Sequence, residues 1–118
     1  MNNASKLFLT VTALTTLFVA GPASAQTTFD KNHPRRAEVI HRENRELNKN
    51  KAAYQNGSIT KGQERRLNRE DHAIRREERR DARRNGGYIT KAQQARMNRQ
   101  ENRVNAQRRN DEIKDGTR

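Results

Sequence analysis

Three arginine pairs, Arg75-Arg76, Arg79-Arg80 and Arg83-Arg84, recur every four residues in a chain of 118. A guanidinium stays charged at any physiological pH and meets phosphate or carboxylate oxygens with a planar fork of N–H donors. Six of them at helical spacing make a basic stripe suited to a polyanion, whose condensed counterions are released on binding. Glu77, Glu78 and Asp81 interleave with the pairs, so the stripe is of mixed sign when read linearly. Residues 61–84 carry ten basic and six acidic side chains. The plain structural reading of the same run is a solvated helix face. The whole chain has 26 Lys+Arg against 14 Asp+Glu, a formal net charge of +12.

No other residue set offers chemistry. There is no Cys, which excludes a disulfide scaffold, a thiolate metal site and a cysteine nucleophile. His33, His41 and His72 lack the i,i+4 spacing that puts two imidazoles on one helix face, and they read as surface residues. Ser58 is the only serine beyond residue 25 and has no nucleophile-elbow context. Gly57-x-Ile59 and Gly87-x-Ile89 match the second half of an EF-hand loop. The ligand positions that would precede and follow them fall on Ala52, Tyr54 and Gln63, and on Ala82, Arg84 and Gln93. A hard cation needs carboxylates there. The expectation is a protein without catalytic residues, metal or cofactor.

An internal repeat supplies the elements that position the arginines. Residues 57–69 read GSITKGQERRLNR and residues 87–99 read GYITKAQQARMNR. In each copy Thr-x-x-Gln, at Thr60/Gln63 and Thr90/Gln93, is a capping box. The hydroxyl accepts a backbone N–H and the amide reaches back to the cap's own N–H. Asn56-Gly57 and Asn85-Gly86-Gly87 end the preceding helices. Helices are predicted at 35–55, 61–84 and 91–113, flanked by flexible segments at 26–34 and 114–118. Glu38–Arg42, Arg66–Glu70 and Asp71–Arg75 are spaced for ion pairs within a helix.

Apolar residues follow at heptad spacing: Ile40, Leu47 and Tyr54; Leu67 and Ile74; Met97 and Val104. Asp81 and Asp111 occupy the next positions and read as interruptions. The seam is one residue wide, whereas a bundle face needs three to four apolar residues per two turns. Tyr88, Ile89 and Ile59 should gather at the turns. The expected fold is all-α: two or three long polar helices in a hairpin or array with a thin core. Low apolar content with high net charge also carries the signature of disorder, and a thin core leaves oligomerisation open.

Residues 1–25 differ from the rest. A short polar start with Lys6, the apolar run Leu7–Ala20 and Ala23-Ser24-Ala25 form a signal-peptide pattern with an A-x-A cleavage site. Removing Lys6 leaves a net charge of +11. The chain is expected to be exported, to the periplasm or outside a bacterial cell, with no transmembrane span in its mature part. There the stripe Arg75, Arg76, Arg79, Arg80, Arg83 and Arg84 would meet lipopolysaccharide, anionic phospholipid, cell-wall polymers or extracellular nucleic acid. Scarce aromatics argue against sequence-specific nucleic-acid recognition.

The segments Ile59-Thr60-Lys61-Gly62-Gln63 and Ile89-Thr90-Lys91-Ala92-Gln93 resemble the Leu-Thr-x-x-Gln motif of the Spy/CpxP-like periplasmic proteins. That resemblance implies a small, basic, all-helical chaperone or envelope-stress accessory engaging unfolded or acidic client proteins through the same six arginines; this is the first expectation, and polyanion binding is the alternative. Here Ile replaces Leu and the repeat is shorter. The turns also resemble repeated Gly-x-Leu-Thr-x-x-Glu turns in small exported bacterial proteins of unknown function. That second likeness implies the repeat architecture and no activity.

Overall fold

The computed structural model describes residues 27–116; the signal-peptide pattern lies outside them. Four helices and no strand occur among the described residues: α1 (Thr28–Asn32), α2 (Pro34–Gln55), α3 (Lys61–Arg84) and α4 (Lys91–Gly116). The three long helices pack pairwise as an up-down-up bundle, with α1 folded onto α2. Within 26–34, read above as flexible, Thr27 caps α1 in a box closed by Asp30. Pro34 then opens α2, where its missing N–H and fixed φ cost nothing. At the other end α4 runs through the expected tail to Gly116.

Both long-helix caps form as the repeat predicts. The Thr60 hydroxyl accepts from the Gln63 amide at 3.2 Å, and Gln63 Oε1 accepts from the Thr60 N–H at 2.6 Å. The Thr90/Gln93 distances are 3.1 and 2.7 Å. Upstream, α2 ends in a Schellman motif. The Ser58 N–H donates to Ala53 O at 2.8 Å and the Gly57 N–H to Tyr54 O at 3.1 Å. In the second copy the Gly87 N–H donates to Ala82 O at 2.7 Å. Gly57 and Gly86 hold φ of +80° and +66°, the left-handed conformation that these turns require. Replacing Thr60 or Thr90 with Ala is expected to cost ~0.5–2 kcal/mol each. Thermal melts followed by circular dichroism check this; an unchanged midpoint in the double variant would remove the caps from the account.

The buried seam is not the apolar heptad. Along α2 the inward residues are Val39, Glu43, Glu46, Asn50 and Ala53. Along α3 they are Glu64, Leu67, Asp71, Ile74, Glu78 and Asp81. Along α4 they are Met97, Glu101, Val104 and Asp111. The α2 and α3 series step by three and four and the α4 series by four, three and seven, so carboxylates and apolar residues share one stripe per helix. Ile40 and Leu47 are only half-buried and Tyr54 is exposed, because the true α2 face is phased one residue earlier. Asp81 and Asp111 continue the seam rather than interrupt it. Ile59 and Ile89 close the two ends of the apolar cluster formed by Val39, Ala53, Leu67, Ile74, Ala82, Met97 and Val104. Tyr88 stays half-exposed and stacks against His33, ring centroids 4.8 Å apart.

Candidate cationic face and its buried counter-charges

A carboxylate buried without a partner would be prohibitively costly, and here most are met by arginines from a neighbouring helix. Arg36 of α2 pairs with Glu78 of α3. Arg75 of α3 reaches Glu43 of α2 at 2.7 Å. Arg42 of α2 lies 2.6 Å from Glu101 of α4. Arg66 of α3 and Asp111 of α4 are 2.6 Å apart, and Arg96 of α4 bridges Glu77 and Asp81, each at 2.6 Å. Every helix interface therefore has charged cross-links. Arg42, Arg66 and Arg75 thus do not make the i,i+4 pairs expected within their own helices; side-chain reach favours the buried acid across the interface, where low dielectric strengthens the attraction.

The middle of the bundle gathers four acids, with Lys49 and Arg108 on Glu46 beside the Arg75 and Arg42 pairs. Glu43 and Glu46 of α2, Asp71 of α3 and Glu101 of α4 converge there. Burial pushes the Asp71 carboxyl up to about 7; the Asn50 amide, donating at 2.9 Å, opposes this, and the charges of Glu46, Glu43 and Glu70 reinforce it. Burial likewise raises Glu101 to about 7 against the pull of Arg42, with Asp71, Glu46 and Glu43 adding repulsion. Asp71 Oδ1 and both carboxyl oxygens of Glu101 are buried with no hydrogen-bond partner.

Drawing the acids inward leaves an acid-free outer surface on α3. At 100° per residue, Arg65, Arg69, Arg76, Arg80 and Arg83 fall within about 60° of one another, opposite Ile74. All five are exposed. Lys61 and His72 extend the same side. All six acidic residues of α3 lie on the inward half: Glu64, Asp71, Glu78 and Asp81 buried, Glu70 and Glu77 half-buried. The mixed sign of the linear stripe thus becomes a clean separation in three dimensions.

Of the six arginines in the sequence-defined stripe, Arg76, Arg80 and Arg83 lie on this outer line. Arg75 does not: it is turned in onto Glu43, because its helical phase points it at α2. Arg79 is exposed on the α2 side and Arg84 on the α4 side. Thr60, Gln63, Thr90 and Gln93 act at the caps, and Asn85 adds a 2.8 Å hydrogen bond to Gln93. Arg65 and Arg69 lie outside the run of three pairs spaced four apart. Helical phase, the 4-7-4-3 spacing from Arg65 to Arg83, finds them.

Among the described residues no group of three or more His, Asp or Glu is placed to hold a metal ion, and no helix is long and apolar enough to cross a membrane. The class defined by these features is an all-α three-helix bundle with charged cross-links inside and a cationic face outside. No protein-family model, curated protein or solved structure matches the chain.

Proposed function

We propose that this chain is a non-enzymatic binding protein of the bacterial envelope that captures phosphate-bearing anionic polymers on the outer face of α3. The observation that supports this most is the acid-free line Arg65, Arg69, Arg76, Arg80 and Arg83, none of which makes an ion pair with a described residue. Glu64, Glu77, Glu78 and Asp81 of α3 are each ion-paired and Asp71 is buried against Asn50, so most of the acidic charge of this helix is engaged away from the outer face. Long-range attraction of this kind speeds encounter and is strongly screened by salt. Among the described residues the large exposed apolar side chains are Tyr54 on α2, Ile113 on α4 and Tyr88 in the turn between α3 and α4. They are spread over two helices and a turn, which is why the polyanion reading is preferred to the chaperone that the Spy/CpxP resemblance implies.

A fluorescent single-stranded oligonucleotide serves as a model phosphate polymer. Binding should weaken linearly in log–log salt titrations, with a slope of about 0.7 per phosphate neutralised on a single strand. The variant Arg65→Ser/Arg69→Ser/Arg76→Ser/Arg80→Ser should lose affinity and flatten that slope. Suppression of client-protein aggregation that survives high salt, with oligonucleotide binding absent, would overturn this function and favour the chaperone.

A further inference from the structure

Where α3 ends, the outer line of arginines meets a concavity. It measures about 290 Å³ and is lined by Arg36, Arg79, Ala82, Arg83 and Gly87. Arg36 is fixed there from three directions. It pairs with the buried Glu78, donates to Gly87 O at 3.0 Å, and lies over the Phe29 ring with its guanidinium carbon 5.2 Å from the centroid. Arg79 and Arg83, one helical turn apart, have no ion pair among the described residues. Two like charges at i,i+4 repel, and nothing on either neighbouring helix offsets them at this spot. The wall between them is made of the smallest side chains: Ala82, buried, and Gly87, whose φ of +98° excludes other residues without strain.

We infer that this concavity is a binding site for a terminal phosphomonoester, the end group of the anionic polymer tracked by the α3 face. The inference rests on the function proposed above and adds the chemistry of one subsite. With Glu78 neutralising Arg36, the site retains two positive charges, from Arg79 and Arg83. A phosphomonoester carries about −1.5 to −2 near neutral pH, whereas a phosphodiester carries a single negative charge. Two guanidinium forks one helical turn apart match tetrahedral oxygens; the Gly87 N–H is held by Ala82 O and its carbonyl by Arg36, so the contacts to the anion come from the arginine side chains. The volume lies at the small end of the range for ligand sites, which is ~300–1,000 Å³, and suits a phosphate with little attached. Beside the site His33 stands between Phe29 and Tyr88, at centroid distances of 5.0 and 4.8 Å. His33 Cε1 would lie 3.6 Å from a Cβ on Gly87, so this aromatic row backs the pocket.

The test uses the full chain, labelled with nitrogen-15, and two probes of nearly equal size: methyl phosphate and dimethyl phosphate. Methyl phosphate should give saturable amide shifts centred on Gly87, Arg79 and Arg83. Dimethyl phosphate should bind more weakly by about tenfold, as expected when one of two charge-assisted contacts is lost. Arg79→Ala should weaken methyl phosphate to a similar extent, while Arg84→Ala, which removes the same charge from the α4 side of the same helix end and does not line the concavity, should not. Equal response to both probes, shifts spread along the whole of α3, or equal losses in the two variants would overturn the site. The oligonucleotide titration separates the two levels. If it succeeds while methyl phosphate fails, the pocket falls and the polyanion function stands. If methyl phosphate binds at Gly87 and the oligonucleotide does not bind, the end-group assignment falls with the function.

Discussion

Acidification from about pH 8 to about pH 5 is expected to raise the melting temperature of this protein, opposite to the usual behaviour of a bundle held by ion pairs. The reason is the central carboxylate group. Asp71 and Glu101 are raised to about 7 in the folded chain from ordinary values of 3.8 and 4.5. Between those values the folded state binds more protons than the unfolded chain, so unfolding releases protons and stability falls as pH rises. The contribution is fully present below the ordinary carboxylate range and is lost as pH climbs through about 7. The groups facing Asp71 from each side are Glu43, Glu46 and Asn50 on α2, Glu70 on its own helix and Glu101 on α4; Arg42 alone among the groups around Glu101 pulls the other way. Each kcal/mol recovered moves the midpoint of a domain this size by ~4–8 °C, so the shift is readily measured. Asp71→Asn separates this cause from others. The amide keeps an oxygen for the Asn50 donor and adds no charge, so the variant should melt higher than the parent near pH 8 and match it near pH 5. A parent whose midpoint falls on acidification across that range would show that the cluster is ionised when folded.

Local features of the fold were legible because they are written in consecutive residues. Thr60 to Gln63 contains a whole capping box, and Asn56-Gly57 a whole helix stop, so α3 begins and ends where the repeat places it. The interior was not legible for the opposite reason. Whether Glu43 or Asp81 faces inward depends on which arginine of another helix can reach it, and that partner is 32 residues away for Glu43. Reading acids as outward, the sound general expectation for Asp and Glu, moved the seam of α2 onto Ile40, Leu47 and Tyr54. The same habit made the arginine stripe look diluted by Glu77, Glu78 and Asp81. Once helical phase sorts the residues, those acids and the outer arginines occupy opposite sides. The buried charges and the cationic face therefore have one origin, a helix rich in both signs that packs its acidic half inward.

That origin makes a second large effect testable at the Arg42–Glu101 pair. Glu101 is wholly buried, while the Arg42 side chain keeps 23% of its exposure. Arg42→Met preserves the alkyl stem and removes only the charge. It strands Glu101 among Glu43, Glu46 and Asp71, and breaking a buried pair from one side costs ~3–5 kcal/mol. The loss should be greatest near pH 8 and shrink toward pH 5, because a protonated Glu101 no longer needs the guanidinium. The double variant Arg42→Met/Glu101→Leu should recover most or all of the stability, since well-packed apolar residues often replace a buried pair at no cost. It should also flatten the pH dependence, because one of the two raised carboxyls is gone and Asp71 loses a repulsive neighbour. Chemical denaturation of the parent, the single variant and the double variant at both pH values measures all of this in one cycle. A single variant as stable as the parent at the higher pH would mean that Glu101 is already neutral there. A double variant as damaged as the single would mean that Arg42 acts through packing, or through its hydrogen bond to Asn102, rather than through charge. The pair would then stabilise by shape, and the inward placing of Glu101 would follow from packing rather than from its attraction to Arg42.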